Sequence, residues 1–142
     1  MFILVEASIV PIEYVDYFWP QVEPLLRPAA EHSHGYYLVE DIYNSIIKNN
    51  DSLWVAHNEG IVMGAAITHR IEYPQKSVLC ISFWGGQEPL EGWGLELLQL
   101  IKRYARETGY GGIEACGRLG WSKRLKDYGF SKIADMFEIA LN

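Results

Sequence analysis

The groups with the clearest capacity for chemistry lie between Val78 and Phe130. An apolar run, Val78-Leu79-Cys80-Ile81-Ser82-Phe83-Trp84, reads as a strand that stops at Gly85-Gly86. After a short acidic loop, Gly92-Trp93-Gly94 opens an amphipathic helix that runs to Gly109. A second strand, from Gly112 to Cys116, and a second short helix lead to Tyr128-Gly129-Phe130. Strand, glycine-bearing loop, helix and strand in this order bring backbone N–H groups up to a phosphate-bearing cofactor. The first four N–H groups of a helix lack intrahelical acceptors, and the helix dipole favours an anion there. His32 and His34, one residue apart with no Asp or Cys beside them, make a poor metal site, and no metal is expected. Cys80 and Cys116 fall in predicted strands without metal-type spacing and read as buried free thiols of a reducing cytoplasm. A disulfide between them would require the two strands to be neighbours.

The elements that must position these groups follow from periodicity. Residues 1–7 look like a strand. Pro11 suits the first turn of a helix, and Ile12, Val15, Phe18 and Trp19 recur at helical spacing. Pro20, Pro24 and Pro28 then predict a helix that is kinked or broken into pieces. Glu31 to Tyr37 reads as a loop. Leu38 to Lys48 returns to helical spacing, with Val39, Ile42, Tyr43, Ile46 and Ile47 on one face. Leu53-Trp54-Val55-Ala56, a tight connection at His57-Asn58-Glu59-Gly60, and the longer run Ile61 to Tyr73 predict a hairpin. Pro74-Gln75-Lys76 turns the chain into the Val78 strand, which completes a meander. The long helix carries Leu97, Leu98, Ile101, Tyr104 and Ala105 on one face, and Phe130 to Leu141 is expected to add one or two strands. The class is α+β, a mixed sheet with helices on its faces.

Composition narrows the rest. The 142 residues, 49% hydrophobic and 21% charged, suit one globular domain spanning 1–142. No apolar run approaches membrane-spanning length and the start carries no signal-peptide pattern, so neither a membrane span nor export is expected. A net charge of −6 disfavours nucleic acid as a partner, and the late cluster Arg118, Lys123, Arg124 and Lys126 suits a solvated helix face. Among the five tryptophans, Trp19, Trp84 and Trp93 stand next to turns, where they either fill the core or line a groove.

The element order, together with Leu53-Trp54-Val55-Ala56, the turn at Gly60, Gly64-Ala65-Ala66-Ile67, the glycine-bearing loop and the final Gly129-Phe130, resembles the GNAT superfamily of N-acetyltransferases over nearly the whole chain. Gly117-Arg118-Leu119-Gly120-Trp121 also looks like small GNAT-like proteins carried by tailed phages. The resemblance implies a mixed central sheet of about six to seven strands flanked by about four helices. It implies acetyl-CoA in a V-shaped opening between two central strands. The pantetheine arm would lie on the backbone at Phe83 and Trp84, with the pyrophosphate on the stretch Gln87 to Gly94, through Gln87, Gly92, Trp93 and Gly94.

Three positions depart from that pattern. Pro89 stands where the family carries Gln or Arg, Leu125 where it carries a tyrosine that protonates the leaving thiolate, and Arg118 where it carries an asparagine. Tyr128 is the nearest phenol, either a displaced proton donor or a packing residue. No Lys or Arg lies between Lys76 and Lys102, while Glu88, Glu91 and Glu96 flank the phosphate site. Each such like-charge pair at about 4 Å costs roughly 1–4 kcal/mol.

Transfer of an acetyl group to an amine needs a base, an oxyanion stabiliser and a proton source. Glu72, His69 and Glu114 are the candidate bases. Glu114 ranks first because the resemblance puts its strand on the far side of the opening. Two readings follow. One is an acetyl-CoA-dependent N-acetyltransferase acting on an amine in the cytoplasm. The other is a catalytically inactive binding or assembly protein of the same fold, with a protein partner, as a phage virion or phage-encoded component. Exposure of both Trp84 and Trp93 on the rim of a filled groove would favour the second.

Overall fold

The computed structural model describes residues 5–87, 90–116 and 122–141. Glu88, Pro89 and the segment 117–121, which holds Arg118 and the phage-like motif, lie outside the described residues. The elements are β1 (Glu6–Val10), a 3₁₀ turn (Ile12–Tyr14), α1 (Val15–Glu31), α2 (Val39–Ile47), β2 (Ser52–Asn58), β3 (Ile61–Glu72), β4 (Ser77–Gly86), α3 (Leu90–Glu107), β5 (Gly112–Ala115) and α4 (Ser122–Asp127). The strands form one mixed sheet in the order β1-β2-β3-β4-β5. The first four run antiparallel, and β5 joins β4 in parallel through the α3 crossover.

Alternation along the strands sends side chains to two cores. Leu53, Val55, Ala65 and Ile67 meet the buried faces of α1 and α2, while Trp54, Ala56, Ala66, Leu79 and Ile81 meet α3. Within the second core the Trp54 indole N–H donates to the Thr68 hydroxyl at 2.8 Å, which satisfies a buried polar pair. The β2–β3 turn takes positive φ at Glu59 and Gly60, 49° and 82°, as a two-residue hairpin connection with right-handed strand twist requires.

Three expectations are corrected. First, α1 is one continuous 17-residue helix and not a set of fragments, although Pro20, Pro24 and Pro28 lie inside it. The prolines recur every four residues on an exposed stripe, opposite the buried stripe Val15, Val22, Leu26 and Ala30. Each missing N–H therefore frees a carbonyl on the side that water reaches, and the helix survives.

Second, β4 does not stop before Gly85-Gly86 but contains both. They are glycines because of what packs on them. A Cβ at Gly85 would overlap the Leu25 carbonyl oxygen of α1, and one at Gly86 would meet the Met63 carbonyl at 2.6 Å and the Trp93 ring. Gly64, across the sheet, would likewise overlap Trp93. Third, the described residues 130–141 form no strand, so the sheet has five strands among the described residues and not six or seven. Four α-helices flank it among the described residues, as expected.

Candidate functional site

The sheet forks between β4 and β5. Their pairing runs from Val78↔Gly112 to Ile81↔Ala115, and β5 then ends while β4 continues to Gly86. Beyond Ile81, β4 is paired only to β3 among the described residues.

A bulge sits at the fork. Thr68 pairs with Ile81 and Ile67 with Phe83, leaving Ser82 as an additional residue whose hydroxyl donates to the Ile67 carbonyl at 3.3 Å. A bulge bends the strand that carries it and increases its twist, which accounts for β4 leaving β5 here. It also reverses the alternation. Phe83 faces α1 with the first core, and Trp84 faces α3 with the second.

The helix that follows has its first turn beside this fork. Leu90–Trp93 supply the first four N–H groups of α3, which have no acceptors within the helix. Gly92 is exposed with open space around the position of a Cβ. Gly94 lies deeper in the helix and on its buried side.

Trp93 braces the turn. It is 2% exposed, its ring lies over Gly64 and Gly86, and its indole N–H donates to the Gln87 carbonyl at 2.6 Å. The Gln87 N–H in turn donates to the Met63 carbonyl at 2.8 Å, at a second bulge where Ala56 pairs with Gly64 and His57 with Val62. The Gln87 backbone is thus engaged within the protein, and its side chain is left exposed.

Trp84, 7% exposed, packs edge-on to Trp93 and lies nearly parallel to Tyr128, at 6.2 Å and 15°. Both tryptophans are core residues, so the rim of exposed indoles considered from sequence does not exist. Tyr128 follows α4 and sits on the α3 side of the fork. Leu125, at the position of the family's tyrosine, is half-buried in α4.

Glu114 stands on the other face. Its strand neighbours Ile113 and Ala115 pack towards α3, so Glu114 faces the α1–α2 side, in register with Cys80 one position before the strands part. The Tyr73 hydroxyl bonds to the Glu114 carboxylate, which holds that phenol above its ordinary range. Burial, with the nearby Cys116, Glu114 and Asp51, pushes the Cys80 thiol up to about 12. Cys80 is buried, but Cys116 is exposed just beyond the end of β5, and both are free thiols. Burial raises the Asp51 carboxyl, against the opposing pull of His69 and a hydrogen bond from Ser45.

His69 pairs with Cys80 in register, so His69, Cys80 and Glu114 form one row across three strands. Tyr37, from the loop between α1 and α2, packs edge-on to Phe83 at 5.2 Å and forms part of this face. The remaining candidate base is elsewhere. Glu72 pairs with Ser77 at the far end of β4, where the Ser77 hydroxyl and Arg70 hold its carboxyl below the ordinary range.

The structure therefore gathers Phe83, Trp84, Gly92 and Trp93 around the fork and places Glu114 and Tyr128 on its two sides. Tyr73 and the thiols beside Glu114 escaped sequence reasoning because their proximity depends on strand register. Among the described residues no group of His, Cys, Asp and Glu side chains is placed to hold a metal ion. No described helix is long and apolar enough to cross a membrane.

No protein-family model matches the sequence, and a comparison with curated proteins finds no match. Solved structures do match along almost the full length of both chains. An aminoglycoside acetyltransferase from an uncultured soil metagenomic sample, solved with sisomicin, superposes with a TM-score of 0.74 at 15% identity, covering 97% of each chain. Glucosamine-6-phosphate N-acetyltransferase from Arabidopsis thaliana gives 0.70 at 10% identity, covering 98% of this chain and 99% of its own. A predicted acetyltransferase from Clostridium acetobutylicum, solved with acetyl-CoA, gives 0.64 at 14% identity and 96% coverage of each. The fold is that of GNAT acetyltransferases.

Proposed function

We propose that this protein is an N-acetyltransferase that takes acetyl-CoA at the fork between β4 and β5 and an amine acceptor from the α1–α2 side. The observation that carries the reading is the fork itself. The β4–β5 pairing ends at Ile81↔Ala115 while β4 runs on to Gly86 and is followed by the first turn of α3. An opening edged by the strand backbone where two strands part suits a thin chain with amide groups, and the N-terminal N–H groups of α3 suit an anion at its end.

In this reading the backbone of Phe83 and Trp84 holds the pantetheine arm, and the N–H groups of Gly92 and Trp93, with the Gln87 side chain, hold the pyrophosphate. Acetyl-CoA bound there would supply an acetyl group activated as a thioester. Glu114, on the acceptor side, takes a proton from the substrate ammonium, with Tyr73 fixing the orientation of its carboxylate. Tyr128, on the α3 side, donates a proton from its phenol to the leaving sulfur. Base and acid on opposite faces suit a reaction in which nucleophile and leaving group occupy opposite sides of one carbonyl. The structural neighbours solved with acetyl-CoA and with an aminoglycoside support the reading.

A second reading, a binding protein of the same fold without turnover, draws on Leu125 and on the lack of Lys or Arg between Lys76 and Lys102. Calorimetric titration at low salt, followed by an acetyl-transfer assay over a panel of primary amines, separates the two. Micromolar acetyl-CoA binding with transfer to at least one amine is expected. Binding without transfer, or no heat at millimolar acetyl-CoA, favours the second reading and overturns the first.

A further inference from the structure

Away from the fork, the α1–α2 side of the sheet holds a second concavity. Where β1 gives way to the 3₁₀ turn and α2 leads into β2, there is a pocket of about 210 Å³. Its floor is apolar, with Val10, Ile46 and Leu53 all buried. Ile9 and Ile12 stand at its rim, 42% and 41% exposed.

One side chain of the lining is charged. Asp51 is half-buried, and burial raises its carboxyl above the ordinary range. It accepts a hydrogen bond from the neutral Ser45 side chain and forms no ion pair among the described residues. Lys48, the nearest cation in sequence, is exposed and likewise forms none. The backbone fixes the carboxylate in place. Asn49 takes φ 61°, which asparagine tolerates better than most residues, and turns the chain back on α2. The N–H groups of Asn50 and Asp51 then both donate to the Ser45 carbonyl, at 3.0 and 3.2 Å. Asp51 is thereby held at the C-terminal end of α2, where the helix dipole is negative and the last turn carries no basic residue. A partly desolvated carboxylate without a countercharge is costly, and a bound cation offsets that cost.

We infer that this pocket binds a primary alkylammonium ion, with its ammonium on Asp51 and the C-terminal carbonyls of α2 and its alkyl chain among Ile9, Ile12, Ile46 and Leu53. An anion meets two repulsive fields there, and a neutral ligand leaves the carboxylate without a partner. The volume sets the size. An apolar cavity of about 150 Å³ holds a benzene ring, so this pocket takes an unbranched chain of about five carbons. The same chemistry occurs in a small free amine and in a lysine side chain. The site is separate from the fork, because Asp51 immediately precedes β2 and lies three strand spacings, about 14 Å, from Glu114 on β5. It needs no acetyl-CoA and stands whether or not acetyl transfer occurs.

Nuclear magnetic resonance of the full chain with labelled isoleucine methyls tests it. The probe for a free amine is n-pentylamine, and the probe for a lysine side chain is Nα-acetyl-lysine methylamide. Saturable shifts of the Ile9, Ile12 and Ile46 methyls are expected at millimolar n-pentylamine, with affinity falling about fourfold for each methylene removed. Asp51→Asn keeps an acceptor for Ser45 and is expected to weaken binding about tenfold or more, with the remaining methyl resonances unchanged. In the unsubstituted protein 1-pentanol, which has the same chain and no charge, is expected to bind about tenfold more weakly or worse. Matching shifts with the lysine probe assign the pocket to a lysine side chain, and shifts with n-pentylamine alone assign it to a free amine. No saturable shift of the three methyls with either probe, equal binding of 1-pentanol, or undiminished binding to Asp51→Asn would overturn the proposal.

Discussion

At the scale of residues, the proposed reaction gives Glu114 and Tyr128 separable duties, one on each face of the sheet. Glu114→Gln is expected to lower acetyl transfer about 10²–10⁴-fold, the range for a lost general base, while leaving acetyl-CoA affinity unchanged. Tyr128→Phe preserves the ring stacked on Trp84 and is expected to lower kcat about 10-fold or more with little change in stability. Full activity in either variant would remove that residue from the mechanism. The two thiols provide a check of the same face. Cys116 is expected to react with a chromogenic disulfide at pH 8 in the native protein and Cys80 only after unfolding, so one thiol per chain should titrate first and the second in denaturant. Burial raises the Cys80 thiol from its ordinary 9.0 to about 12, so folding favours the protonated form. The stability this contributes is fully present below pH 9.0 and is lost as pH rises towards 12. Cys80→Ala is expected to flatten that alkaline loss in urea midpoints measured across the window, and an unchanged slope would contradict the assignment.

At the scale of elements, most of the secondary structure was legible because its signals are local. The Glu59-Gly60 turn, the faces of α2 and α3 and the order of the meander all follow from composition and period. What was not legible depended on partners distant in sequence. The glycines at 85 and 86 look like a strand break until Leu25 and Trp93 are seen packed on them. The bulge at Ser82 leaves no mark in a run that is apolar nearly throughout, yet it turns Trp84 to the α3 side and opens the fork. Three prolines suggest breaks unless their common solvent-facing stripe is recognised. Gly64→Ala is expected to cost about 1–3 kcal/mol through overpacking against Trp93, measured by urea unfolding. Gly85→Ala and Gly86→Ala should cost more, because the backbone carbonyls of Leu25 and Met63 stand in their way. Pro24→Ala is expected to stabilise the protein by about 1–3 kcal/mol, since alanine restores an N–H in a helix interior. Destabilisation instead would show that the proline sets a curvature on which the packing of α1 over Gly85 depends.

At the scale of the whole molecule, one crossover does most to shape the candidate site. A meander of four antiparallel strands is extended by a parallel fifth, and that strand pairs with only the first part of β4. The fork follows from this mismatch in length and from the bulge beside it. From sequence, the fork was an expectation attached to a family likeness, because neither the length of β5 nor the register of β4 can be read from residue types alone. The proposal places acetyl-CoA along the backbone of β4 beyond Ile81. Amide hydrogen exchange of residues 82–86, with and without saturating acetyl-CoA, tests it directly. Slowed exchange is expected at Phe83 or Trp84 and in the first turn of α3, with β1–β3 unchanged. Bound acetyl-CoA that left the amides of β4 unprotected would contradict it.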